Sequence, residues 1–170
     1  MKHIPKSERE LAQWLRAIER HRNKGEFENA LSFCDSLTEH ESTRAAGLRT
    51  RASVYADMRE RNLEVADREA LVEISPQEPA DYFDLGVALW RAGRLSSATE
   101  AFTRALEVGD REGFQYYANA TRMHLVALLI HLGLVEEARH ECMLIPDGYE
   151  SYLPTEGLVS KFHLERKLSG

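Results

Sequence analysis

Apolar residues recur every three or four positions along almost the whole chain. Leu11, Trp14, Leu15 and Ile18 make one such stripe, and Leu95, Ala98, Ala101, Phe102, Ala105 and Leu106 make another. That spacing puts side chains on one face of an α-helix. Runs in which Val, Ile and Thr alternate with polar residues are absent, so strands have little support and the expected class is all-α. The punctuation agrees. Ser7 stands three residues before Glu10, a capping-box pattern that opens a helix. Gly25, Gly93 and Gly133 each follow one helical stretch and precede another, and Gly109 is expected to end a further one. Turns this short force antiparallel hairpins.

The pattern also repeats. Tyr82, Leu85, Gly86, Leu89, Ala98, Phe102 and Ala105 follow one another at intervals of 3, 1, 3, 9, 4 and 3. This resembles the tetratricopeptide repeat, W-x2-L-G-x2-Y followed by A-x3-F in a unit of about 34 residues. Gly86 and Ala98 are small where two helices approach closely, and Tyr82, Leu89 and Phe102 fill the space between hairpins. In that frame one repeat runs 79–112. Earlier frames fall at 45–78, with Ala52, Tyr55 and Pro76 in register, and at 11–44, with Trp14 in the opening aromatic position. The 45–78 frame departs from the pattern at Glu64 and Arg68, where Ala and an aromatic belong. Ala66, Ala70 and Ile74 are the expected packing face there, after a turn Arg59–Asn62 longer by two. A fourth frame at 119–152 rests on Gly133-Leu134-Val135-Glu136-Glu137-Ala138, with 113–118 extending its first helix at the N-terminal end. The segment 153–170, with Leu158, Phe162 and Leu168, is expected to cap the last apolar face. The resemblance implies a single domain over 1–170: a right-handed superhelical stack of antiparallel helix hairpins, an α-solenoid of roughly nine helices.

Composition narrows the function classes. The chain has 170 residues, with 22 Lys plus Arg against 28 Asp plus Glu, a formal net charge of -6. Non-specific nucleic-acid binding needs a basic field, so no nucleic-acid partner is expected. The longest apolar run, Leu125 to Ile130, is far short of the ~20 residues a membrane span needs, so no membrane partner is expected either. The first residues are charged and lack an apolar segment, unlike a secretory signal. Two cysteines, Cys34 and Cys142, make no disulfide framework, and a cytoplasmic location is expected.

Chemistry-bearing motifs are missing. There is no Gly-rich phosphate loop, nucleophile elbow or H-E-x-x-H, so no catalytic residue, metal or cofactor is expected. His140, Glu141 and Cys142 are adjacent on a helix and diverge. Cys34 and Cys142 share one repeat position on the inward stripe and read as small core residues. His124 and His131, seven apart, can lie on one helix face without making a metal site. Glu136, Glu137 and Asp147 read as solvated, the first two favouring a helix N-terminus.

The resemblance implies non-catalytic protein binding, since the first helix of each tetratricopeptide hairpin lines a concave groove for a protein or peptide. Carried over by position, the groove residues are Leu15, Glu19, Arg22 and Asn23, then Arg49, Ser53 and Asp57. Phe83, Val87, Trp90 and Arg91 follow, then Met123, Ala127 and His131. Trp90 occupies no consensus core position, so it reads either as a binding anchor or as packed under the fourth repeat or the tail. The clamp that some of these repeats use for a C-terminal carboxylate is lost, because Leu15, Glu19, Ala80 and Asp84 stand where its basic and amide residues would. An adaptor module is the broadest reading, monomeric when unbound. A bacterial immunity protein that blocks a basic toxin is the sharper alternative, using the convex face, helix ends or the tail around Tyr149 and Tyr152. A secretion chaperone is a third.

Overall fold

The computed structural model describes residues 5–170. The chain forms two compact units, one up to Ser75 and one from Pro76 to Gly170. The first contains α1 (Glu8–Asn23), α2 (Phe27–Thr38), α3 (Glu41–Met58) and α4 (Arg61–Ile74). Each helix packs on the next, and α1 also touches α3. Ser7 caps α1 as expected, its hydroxyl accepting from the Glu10 amide at 3.2 Å. Ile18, Ala30, Cys34, Leu37 and Val54 form the core of this unit, with Trp14 edge-on to Phe33 at 5.2 Å beside it.

The second hairpin of this unit departs from the expected packing face. Arg59 adopts the left-handed conformation (φ 62°) and α4 starts two residues later, so the turn is short. Ala66 and Ile74 are exposed, and the inward face is Glu64, Val65, Arg68 and Leu71. Glu64 is 0% exposed. It lies between Arg61 and Arg68, each with a guanidinium nitrogen 3.5 Å from one carboxylate oxygen. The positions 34 residues before Ala98 and Phe102 thus keep their buried places but hold an ion pair, which is tolerated inside a fold only when the charges are matched. A second set of charges ties three helices together. Arg51 of α3 donates to both Asp67 oxygens of α4 at 2.7 and 2.8 Å and to Asp35 of α2 at 2.8 Å. Its guanidinium is held charged, with a pKa well above the usual arginine range, chiefly by the Asp67 hydrogen bonds.

The second unit contains α5 (Pro79–Arg91), α6 (Leu95–Glu112), α7 (Ala118–His131), α8 (Val135–Met143), β1 (Glu150–Leu153), β2 (Gly157–Ser160) and α9 (Lys161–Ser169). Helices α5 and α6 fill the 79–112 repeat. Gly86 lies against the Phe102 ring, so close that a Cβ would sit 2.6 Å from it. Gly109 does not end α6. The helix runs on to Glu112, and Gly113 takes the left-handed cap (φ 75°). Gly109 is instead a point of close approach, where a Cβ would meet the Phe114 carbonyl oxygen at 2.8 Å. The segment 113–117 is a turn leading to α7, not a helical extension.

The all-α class holds, and the tail adds a short hairpin to it. Strands β1 and β2 pair antiparallel, with Tyr152 opposite Leu158 and Leu153 opposite Gly157. Leu153 and Val159 point inward and are buried. Strand β1 packs on α7, and α9 packs on both α7 and α8. Arg139 of α8 donates to the Leu168 carbonyl of α9 at 2.8 Å. Lys161 closes the base of the hairpin. Its amide donates to the Tyr149 carbonyl at 2.9 Å and its Nζ to Asp147 at 2.7 Å. The described residues contain nine helices in all, as expected, with a small hairpin added.

Two substitutions test this packing by sign. At an open helical site Gly→Ala stabilises by about 0.5–1 kcal/mol. At Gly86 the new methyl meets a fully buried ring, and at Gly47 it meets the Thr38 amide nitrogen at 2.8 Å and the Leu37 carbonyl carbon at 2.9 Å. Both Gly→Ala variants should therefore lose about 1–3 kcal/mol in denaturant melts, with Gly47→Ala the worse because backbone yields least. A gain at either site would show the helices further apart. In the first unit, Arg51→Ala strands the buried Asp67 carboxylate and should cost about 3 kcal/mol. Asp35 is half-exposed, so Asp35→Ala should cost less than about 1 kcal/mol. Equal losses would refute Arg51 as a buried tie.

Candidate protein-binding surface

In the first unit the expected groove residues are largely occupied with one another. Leu15 is half-buried and packs against the core cluster. Arg22 of α1 and Asp57 of α3 meet in an ion pair, Nε to Oδ2 at 2.9 Å. Ser53 donates its hydroxyl to the Arg49 carbonyl at 3.1 Å, and both side chains are half-buried. Glu19 and Asn23 are exposed. Arg22 and Asp57 thus meet across α1 and α3 and balance each other's charge.

In the second unit three expected groove residues are in the core. Trp90 is 7% exposed, and Met123 and Ala127 are buried. The reason is α7, which is apolar on every side. Residues 123–129 are all buried, covered by α6, α8, α9 and β1. None of these three offers a partner any surface. Phe83 and Val87 are half-buried, while Arg91 and His131 are exposed.

The residue that faces α5 is His124, next to Met123. Its ring lies edge-to-face with Phe83 at 5.0 Å and with Trp90 at 5.9 Å, and tilted against Phe102 at 5.3 Å. Nδ1 lies 2.8 Å from the Ala120 carbonyl oxygen. Burial lowers the His124 pKa below the usual histidine range. Arg91 pushes the same way, while hydrogen bonds to the backbone of Ala120 and Tyr152 oppose it. Burial thus favours the neutral ring, whose Nδ1 faces the backbone of α7 itself and whose faces pack against α5 and α6. His124 and His131 do not share an environment, since one is buried and the other exposed. The signal for this lay in the sequence: Met123 to Ile130 offers no polar face to solvent, so His124 had to be inside.

Both thiols are core groups, as expected. Burial pushes Cys34 up to about 11, and Cys142 is raised for the same reason, so neither is a reactive thiolate. Apolar side chains do remain outside. On the outward face of the hairpin Tyr152 is 74% exposed and its cross-strand partner Leu158 is 58% exposed. Phe162, two residues past β2, is 67% exposed. Tyr149, by contrast, is half-buried.

No family model matches the chain, and no curated protein matches it in sequence. Solved structures do match in shape. MamA (residues 41 to the end) from Desulfovibrio magneticus RS-1 aligns with a TM-score of 0.63 at 16% identity, over 92% of this chain and 76% of that one. The nearly identical TPR-like repeats of a Podosopora anserina protein titled a putative kinesin light chain align with a TM-score of 0.66 at 16% identity, over 82% of this chain and 75% of that one. The fold is that of tetratricopeptide-like repeats. Among the described residues no helix is long and apolar enough to cross a membrane.

The location of Trp90 and His124 gives two expected outcomes. Trp90→Ala should cost about 3–5 kcal/mol as a core truncation, so any loss of binding would come with loss of fold. Melting at an unchanged temperature would put Trp90 back on the surface. For His124 the folded state binds the proton more weakly than the unfolded chain does. Its contribution is complete above the unfolded pKa of about 6.5 and falls as pH drops below it. Thermal melts at pH 7.5 and 5.5 should show a larger loss in the wild type than in His124→Gln. Parallel losses would remove His124 as the cause.

Proposed function

We propose that this chain is a non-catalytic protein-binding module that holds its partner through apolar contact at the tail hairpin. The observation that carries the reading is the Tyr152–Leu158 pair. These two large side chains lie directly opposite each other on a folded hairpin and face solvent. Aromatic groups held rigid at a surface are the residue type that dominates binding hot spots. The hairpin is braced from behind by Leu153, Val159 and the Lys161–Asp147 pair, so little order is lost on binding. The likeness to TPR-like repeats supports the same class, since their stacked hairpins form extended surfaces. The chain acts as an adaptor, monomeric until its partner arrives, with no nucleic-acid or membrane partner and no cofactor. We place it in the cytoplasm, where its two buried thiols stay reduced.

A second reading, a bacterial immunity protein that neutralises a cognate toxin, is favoured by the charge. The net -6 of the chain suits a basic partner. No feature favours a secretion chaperone.

Affinity purification of the tagged chain from its native cells tests both readings. A stoichiometric protein partner is expected, and a nuclease or other basic enzyme inhibited on binding would select the immunity reading. Tyr152→Ser with Leu158→Ser should weaken that partner about tenfold or more, while far-UV circular dichroism and melting temperature change little. Retained affinity would reject the hairpin, and the absence of any stoichiometric partner would reject the module.

A further inference from the structure

Helix α1 carries its basic residues in two unlike sets. His21 and Arg22 have acidic partners within the first unit, Glu26 and Asp57. The others stand in a line. Arg9, Gln13, Arg16, Arg20 and Lys24 follow at intervals of 4, 3, 4 and 4, and all five are exposed. At 3.6 residues per turn this spacing stacks them on one face over about 22 Å. The apolar side of the helix is turned inward, with Ile18 buried and Leu11, Trp14 and Leu15 packed against the core. Arg9, Arg16 and Arg20 make no ion pair among the described residues. Lys24, at the C-cap, acts on Glu26 through space.

Water requires that this face be polar, not that it carry a single sign. The helix itself opposes the choice. Arg9 stands in the first turn, where the dipole disfavours a cation. Arg16, Arg20 and Lys24 are like charges at i, i+4. At Gln13, where a glutamate would reach Arg9 and Arg16, the residue is neutral. Glu8, Glu10 and Glu19 flank the line by the same period and do not interrupt it. In a chain of net charge -6 the line is a local reversal of sign.

We infer that this line of guanidinium groups is a docking surface for an acidic helix of a partner protein, whose aspartates or glutamates recur at intervals of three and four. Guanidinium and carboxylate pair through two parallel hydrogen bonds, so matched spacing is rewarded as well as charge. A nucleic-acid backbone or an anionic membrane shares the charge but fits the face less well. The flanking Glu8, Glu10 and Glu19 would meet the phosphates of any wider surface. With its apolar side in the core, α1 has nothing to insert among lipids. One edge of an acidic helix is narrow enough to meet the cations between those carboxylates. Exposed pairs each contribute little, so the line steers and orients a partner more than it grips it. The tail hairpin belongs to the other unit, and the inference rests on the protein-binding reading only in taking a protein as its ligand.

The test uses the full chain and a labelled, end-capped alanine-based peptide of about 18 residues with glutamates at i, i+4, i+7 and i+11. One counterpart carries lysine for glutamate, and a second spreads the same glutamates around the helix. Fluorescence anisotropy should show saturable one-to-one binding of the matched peptide, weakening with added salt. The lysine peptide should not bind, and the spread peptide should bind at least about threefold more weakly. Arg16→Glu with Arg20→Glu should weaken the matched peptide about tenfold or more at a little-changed melting temperature. Arg16→Gln with Arg20→Gln, which introduces no repulsion, should still lose about threefold or more. Arg111→Glu with Arg166→Glu makes the same change in net charge as the first pair on exposed positions of the second unit, and should leave affinity within about threefold. Equal losses in the two charge-reversed variants, or equal affinity for the matched and spread peptides, would reduce the effect to net charge and overturn the site. No saturable binding would overturn it as well. So would tighter binding of a single-stranded RNA or of phosphatidylserine vesicles that is lost in Arg16→Glu with Arg20→Glu, since the line would then be a phosphate surface. A native partner captured by the wild type and held equally by Arg16→Glu with Arg20→Glu would reject the line while leaving the binding-module reading intact.

Discussion

Helix α7 is apolar all round, and most of the second unit follows from the need to cover it. A helix in a two-layer hairpin has one stripe to bury; this one has every side. Helices α6 and α8 cover two sides. The remaining surface is covered by β1 and α9, which is why the tail folds back instead of continuing the repeat. A strand suits the job because its residues alternate. Leu153 and Val159 go inward while Tyr152 and Leu158 are left outside, so covering α7 itself generates the exposed apolar pair. His124 belongs to the same core, its ring packed among aromatic neighbours on α5 and α6.

Legibility followed the strength of the local rule. The 79–112 repeat could be read to the residue because Gly86 and Phe102 need each other: only hydrogen fits beneath that ring. The cysteines were placed inside by period alone, and they are inside. Gly109 was misread because a helical glycine can mark a close approach as well as an end, and Gly113, four residues on, was the better terminator. The hairpin was invisible for a different reason. Its strands are four residues each, too short for alternation to rise above a helical background, and their order comes from α7 rather than from propensity. The groove assignment failed on α7 because a frame carried from other repeats supposes a helix with one wet side. With none, Met123 and Ala127 had nowhere exposed to go.

Glu64 and Arg68 make the complementary case. The pattern marked them as violations, which suggested that the packing face had rotated to Ala66 and Ile74. The backbone kept its register and the core took the charges instead, with Arg61 and Arg68 on either side of Glu64. Geometry is the stronger constraint here. Rotating α4 to expose a carboxylate would have undone the contact of α4 with α3 and the Arg51–Asp67 tie. Such a site gains little stability over a well-packed Ala and Phe pair. It does make the first unit's hairpin chemically unlike the second's, which has Ala98 and Phe102 at the same positions.

The acidic residues of α6 and α8 need separate explanations. Glu136 and Glu137 stand in the first turn of α8, where the helix dipole favours negative charge, so the fold alone accounts for them. Glu100 and Glu107 have no such reason. Glu100 lies beyond the first turn of α6, and Glu107 lies in its C-terminal half, where the dipole opposes a carboxylate. Arg104 offsets that at Glu107 and leaves Glu100 without an ion pair. Nor does packing require either residue, since the buried stripe of α6 is on its other face. Both stand on the solvated face of an amphipathic helix, where charged residues are the ordinary choice, so exposure to water accounts for them.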